Sequence, residues 1–291
     1  GMNLLDAFTH ASSAIATGGF SNKNNSVAYF SSAYIDWVLT VFMYIGSLNF
    51  LVLIKTVRGN FKSIINDSEI KFFTLIIVLI SALVSIFLYI QPNGFTGMDG
   101  KTYTSLLDAV RFGTFQVVSV ISTTGYATAD YNLWHPAAQI LIFVLFFIGG
   151  SSGSTSGGIK VIRHIIMIKQ AVINIKSLIH PKGVFTMRLN GNPVSNKVVI
   201  TVMGFIVVYM VTLFVGAFIV ALSGVVTPTE ALGAMLGCLG TVGPGFGALG
   251  PASNYGFLPD FVKLTLSISM IIGRLELFTV FILFSPWFWK K

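Results

Sequence analysis

The sequence predicts an all-α integral membrane protein built of repeated units. Each unit is a span, a short helix that enters the membrane and stops, a Thr/Gly turn and a second span. Three observations carry this reading. First, 54% of the 291 residues are hydrophobic and only 10% are charged, against about 25% charged in ordinary soluble chains, and the mean hydropathy is +0.82. Ten acidic residues cannot solvate a globule of this size, so most of the outside must face lipid and a soluble enzyme is excluded. Second, five long apolar stretches, 37–54, 72–90, 137–168, 198–222 and 261–289, approach or exceed the roughly 20 residues that cross about 30 Å of hydrocarbon. Third, a short capped segment recurs three times between them.

In chain order, Gly1, Met2 and Asn3 present no basic region ahead of an apolar run, so this start is not a signal peptide. A Gly before Met, with the chain opening inside a patterned segment, leads us to expect a natural start further upstream. Asn3-Leu4-Leu5-Asp6-Ala7 matches Ser105-Leu106-Leu107-Asp108-Ala109 and Thr227-Pro228-Thr229-Glu230-Ala231. Each is the beginning of a helix: the first residue can accept an orphan N–H, the acid complements the positive helix end, and Pro228 suits the first helical position. Each helix has room for three or four turns before a polar bend: Ala16-Thr17-Gly18-Gly19-Phe20, Thr123-Thr124-Gly125-Tyr126 and Thr241-Val242-Gly243-Pro244-Gly245. In this reading Gly18, Gly125 and Gly243 are equivalent.

The third apolar stretch is interrupted by Gly149, Gly150, Ser151, Ser152, Gly153, Ser154, Thr155, Ser156, Gly157 and Gly158. Irregular backbone at membrane depth is tolerated only inside protein or beside water, so this break should face an interior path. A phosphate loop is excluded, because Lys160 follows Ile159 and no strand precedes it. The last stretch carries Arg274, an ionisable group at membrane depth and so a candidate functional residue. Glu276, two positions on, does not share its helix face, and any ionic partner of Arg274 should come from elsewhere. Asn49, in the first apolar stretch, should line the path or bond a neighbouring helix.

Charge supplies the orientation. The net charge is +8, and 11 of the 18 basic residues fall in 55–71 and 160–197, the second without an acid. Such loops mark the cytoplasmic side and account for the basic balance without nucleic acid. Seven of the ten acids lie on the turn side, where a mildly negative mouth would concentrate cations. Cys238 is the one cysteine, which excludes an internal disulfide. His10, His135, His164 and His180 lack metal-ligand spacing.

A dehydrated cation needs oxygen ligands, and rings of backbone carbonyls supply them without burying formal charge. Glycine lets the chain turn its carbonyls toward an axis, Thr17 and Thr124 could add hydroxyls, and the short helices aim their negative ends at the same place. Phe115 with Ile121 to Asp130, the stretch Gly149 to Lys160, Thr241 to Gly245, and Gly273-Arg274-Leu275-Glu276-Leu277-Phe278-Thr279 together resemble the Trk/Ktr/HKT superfamily, most nearly its bacterial Trk potassium-uptake branch. The resemblance covers essentially the whole chain.

That resemblance implies a potassium-channel-like fold of four pseudo-repeats around a central pore, incomplete here at the N-terminus. Residues 1–58 would be the pore helix, filter loop and exit span of repeat 2, 59–180 repeat 3 with a broken exit helix, and 181–291 repeat 4. It implies a potassium filter at Thr17, Gly18, Gly19, Thr123, Thr124, Gly125, Tyr126, Thr241, Val242 and Gly243, and an intramembrane gate formed by the Gly149–Gly158 loop with Arg274. Without repeat 1 the chain should not conduct alone. The expected setting is the bacterial inner membrane, with potassium as cargo and no organic cofactor. The expected partners are a second identical subunit and a cytoplasmic nucleotide-binding regulator docking on 169–197. Sodium transport is the alternative within this reading. Outside it stand a non-conducting scaffold and an intramembrane serine protease built on Gly150-Ser151-Ser152-Gly153, which would need a histidine at membrane depth.

Overall fold

The computed structural model describes residues 1–290, so the expected end of the last unit at Lys291 lies outside the described residues. The chain runs through α1 (Leu4–Ile15), α2 (Ala33–Gly46), α3 (Phe50–Val57), α4 (Lys62–Asn66) and α5 (Ser68–Tyr89). A two-stranded hairpin, β1 (Phe95–Thr96) with β2 (Thr102–Tyr103), leads to α6 (Leu106–Ile121), α7 (Pro136–Leu145) and α8 (Val161–Ile179). A second hairpin, β3 (Arg188–Leu189) with β4 (Asn192–Pro193), precedes α9 (Asn196–Ala221), α10 (Pro228–Leu239), α11 (Asp260–Arg274), α12 (Leu277–Leu283) and α13 (Pro286–Trp289). The predicted all-α membrane architecture is what the chain adopts.

The three capped segments open α1, α6 and α10. Asn3 accepts the Asp6 amide at 2.7 Å and Ser105 that of Leu107 at 3.3 Å. Thr227 and Glu230 form a reciprocal capping box with Pro228 at the first helical position, which satisfies two orphan donors at once. With 12, 16 and 12 residues, these helices reach only about 18 to 24 Å and cannot cross. By length and composition α5 and α9 can cross alone. Each short helix packs on the spans beside it: α1 on α2, α6 between α5 and α2, and α10 between α9 and α11. The shared interior is apolar and includes Phe73, Phe115, Tyr126, Tyr131, Leu145 and Leu239.

Two expected spans are not continuous. Across Ser47–Asn49 the chain bends by 104° between α2 and α3, and between α11 and α12 it bends by 110°. Neither bend has a proline in it. At the first, Asn49 turns out to be a cap, accepting the amides of Leu51 and Val52 at 2.9 and 3.3 Å. Backbone of the Gly/Ser loop fills the gap there: Ser151 donates to the Ser47 carbonyl at 2.9 Å, and Phe50 donates to that of Gly153 at 3.3 Å. At the second bend Glu276 takes a left-handed backbone, φ +63°. At the first bend, groups that would be orphaned are satisfied by a neighbouring segment, as membrane depth demands.

Candidate functional site

The three Thr/Gly turns are one structure repeated. Thr17, Thr123 and Thr241 have φ of 50°, 57° and 58°, a conformation costly for a β-branched residue. The next amide folds back five residues in each case: Gly18 to Ser13 O at 2.8 Å, Thr124 to Ser119 O at 2.9 Å and Val242 to Gly237 O at 2.8 Å. Gly19, Gly125 and Gly243 follow with φ of 67°, 83° and 102°. This corrects the sequence register by one: Gly19, not Gly18, is the counterpart of Gly125 and Gly243, and Gly18 matches Thr124 and Val242. Two adjacent glycines in the first turn hid the offset.

Consecutive turns touch. A Cβ on Gly19 would fall on the Thr124 carbonyl oxygen, and one on Gly125 would fall on that of Val242, whereas nothing lies within 4 Å of one on Gly243. Between the third turn and the first is a cavity of about 410 Å³ lined by residues that include Thr17, Gly18, Thr241, Val242, Gly243 and Arg274. Phenols tie the turns from behind. Tyr126 donates to Phe20 O at 3.0 Å, Tyr131 to Gly245 O at 2.5 Å and Tyr255 to Gly243 O at 2.9 Å. Tyr126 therefore serves the ring from within the core, its side chain fully buried and stacked on His10.

His10, Tyr131 and Tyr255 carried no signal of this role in the sequence. His10 sits buried in α1, with Nδ1 2.8 Å from the Asp6 carbonyl and Nε2 2.9 Å from the Ser21 hydroxyl. It is a packed core group.

The Gly/Ser loop between α7 and α8 comes up beneath the turns and meets the left-handed threonine of each. The hydroxyls of Thr17 and Thr155 are 3.2 Å apart, Gly157 N–H donates to the Thr123 hydroxyl at 2.8 Å, and the Thr241 side chain lies where a Cβ on Gly157 would sit. Ser156 donates to Ser122 O at 2.7 Å. Two cations hold neighbouring carbonyls of the loop: Arg274 donates to Thr155 O and Lys160 donates to Ser156 O. Both line a cavity of about 280 Å³ with Gly153 to Gly158, Gly273 and Glu276. Glu276 pairs with Arg163 at 2.6 Å, and the Arg274 guanidinium is held by the loop carbonyl of Thr155.

Lys160 belongs in sequence to the basic stretch 160–197 and Glu69 carries no signal there, yet both are buried against this loop. The loop's later serines, Ser154 and Ser156, donate to main-chain carbonyls, and the Ser152 amide is taken by Glu69. Among the described residues no histidine hydrogen-bonds a serine of the loop.

The profile of the TrkH family, described as cation transport protein, matches residues 1–291. The chain belongs to the TrkH family. It is 36% identical over 293 residues to the Trk system potassium uptake protein TrkI of Halomonas elongata, covering 100% of this chain and 57% of that protein. To TrkG of Escherichia coli, also a Trk system potassium uptake protein, it is 34% identical over 293 residues, covering 100% and 58%. The crystal structure of the potassium transporter TrkH from Vibrio parahaemolyticus superposes with a TM-score of 0.90 at 33% identity, covering 100% of this chain and 60% of that one. The chain thus spans under two thirds of the length of these TrkH-family relatives. These relatives are named as potassium transport proteins, and this chain is a multi-pass membrane protein.

Proposed function

We propose that this chain supplies three of the four quarters of a potassium path across the bacterial inner membrane, with the Gly/Ser loop as its gate. One observation carries the reading: three turns sharing the same fold-back hydrogen bond and the same left-handed threonine, each at the negative end of a short helix, succeed one another by direct contact and leave one side open. Thr17, Gly18, Gly19, Thr123, Thr124, Gly125, Tyr126, Thr241, Val242 and Gly243 form the filter, and those of their carbonyls not held by other side chains are the ligands that replace the ion's water. Units 1–58, 59–180 and 181–291 contribute one turn each, and the cavity between Gly243 and Gly18 receives a fourth. Glycine at all three equivalent positions supports potassium over sodium as cargo. The names of the relatives support the same choice.

The gate reading rests on the loop's position under the turns and on its two cationic latches, Arg274 and Lys160, which a permeant cation would meet first from the cytoplasm. The basic segment 169–197 is the docking face for a cytoplasmic nucleotide-binding regulator, and the working unit is a homodimer. The test is growth: a full transporter containing this chain should restore potassium-uptake-deficient cells at low potassium. Unchanged growth despite good membrane expression would overturn the proposal.

A further inference from the structure

One carboxylate on a neighbouring span holds both ends of the Gly/Ser loop. Glu69 Oε1, in the first turn of α5, accepts the Ser152 amide at 2.6 Å and the Ile162 amide at 3.2 Å. The residue is only 5% exposed. The Ile162 amide is one of the orphan donors at the start of α8, and Lys160 at the N-cap position gives it no side-chain cap. Glu69 therefore caps α8 from another helix, where a negative charge is favoured, and joins that cap to the loop's first limb.

The main chain closes the same base. Gly149 N–H donates to Ile159 O at 2.9 Å and Val161 N–H to Gly150 O at 3.2 Å. Beyond this neck the chain passes Gly153 and Gly158, with φ of 71° and 66°, conformations open to glycine at no steric cost. The tip between them is held chiefly by side-chain bonds: the Arg274 and Lys160 latches, the Thr123 hydroxyl and the Ser156 bond to Ser122.

We propose that Glu69 is the positioning residue of the gate: it pins the neck of the loop to α5, so that opening swings only the tip about Gly153 and Gly158. This rests on the gating reading above and says which part of the loop stays still. Reach, more than charge, is what the geometry demands. Glutamine keeps an acceptor oxygen at the same distance, aspartate keeps the charge one methylene short, and alanine removes both.

The test uses the full transporter in liposomes, with basal rubidium-tracer flux and the potassium-to-sodium permeability ratio as readouts. Losing hydrogen bonds to a buried carboxylate is expected to raise basal flux about tenfold in Glu69→Asp and Glu69→Ala. Glu69→Gln, with weaker neutral bonds at the same positions, stays within about threefold of wild type. The permeability ratio stays unchanged throughout, because the turns are untouched; a general packing role would degrade flux and selectivity together. Should Glu69→Ala fail to fold, the aspartate and glutamine variants decide. An Asp variant as tight as wild type, or a Gln variant as leaky as Asp, overturns the assignment. Arg274→Ala separates the two levels: if it raises basal flux while Glu69→Asp does not, only the role of Glu69 falls, and if neither does, the gating reading falls with it.

Discussion

The backbone of Gly19 lies against the carbonyl oxygen of Thr124 so closely that no Cβ fits between them, and Gly125 stands in the same relation to Val242. Each contact fixes one turn to the next, so the spacing of the ring is set by main chain on main chain.

Gly19→Ala and Gly125→Ala should therefore damage the ring, whereas Gly243→Ala, which meets no neighbour within 4 Å, should act through backbone strain alone. That strain is about 1–2 kcal/mol for an L-residue in the left-handed region. The check is the potassium-to-sodium permeability ratio of the full transporter: it should collapse for the first two variants and fall less for the third. Equal effects at all three positions would refute the contact argument.

The two latches grip consecutive carbonyls and should be coupled. Lys160→Met frees the Ser156 carbonyl, and losing a charged hydrogen bond costs the closed loop about 1.5–3 kcal/mol. Basal tracer flux should rise by tenfold or more, and adding Arg274→Met should give less than the product of the single effects, since both act on one segment. Independent, multiplying effects would mean that the latches hold separate elements.

Tyr131 can be tested by stability. Its phenol is buried and donates to Gly245 O at 2.5 Å. Tyr131→Phe keeps the ring and leaves that carbonyl without its donor, at an expected cost of about 1–3 kcal/mol. Thermal unfolding of the detergent-solubilised protein should shift down. An unchanged midpoint would show that the carbonyl has found another donor.

At the start of α10, the Ala248 amide and then the Thr227 amide hold the Glu230 carboxyl below its ordinary value of 4.5. A depressed carboxylate stabilises the fold above its unfolded pKa, and that contribution is lost as the pH falls through the folded value. Unfolding temperature should thus decline on acidification below about pH 4.5, and Glu230→Gln should lower the midpoint at neutral pH toward the acid value and flatten that limb. The same acid limb in the variant would assign it to other carboxylates.

What the sequence made legible was whatever local chemistry encodes. Asn3, Ser105 and Thr227 announced their helices because caps act within four residues, and the run from Gly149 to Gly158 announced a break because no span tolerates it. The bend at Ser47–Asn49 was hidden: the loop that stabilises it, through Ser151 and Gly153, lies about a hundred residues downstream. The roles of Glu69 and Lys160 are hidden for the same reason, since their partners exist only once α5, α8 and the loop are assembled. The register of the first turn was lost where Gly18 and Gly19 stand side by side and only the dihedral angles tell them apart.

Although three turns make up the described ring, only the unit running through α7 and α8 carries a long interruption; the other two broken helices turn within three residues or fewer. In the gating reading, closure is then a hinged trapdoor hung from one wall, not an iris drawn in from all sides. A trapdoor can be re-tuned by changes in a dozen neighbouring residues without disturbing the symmetry of the opening above it, which leaves how readily the passage unlocks free to diverge from what it lets through.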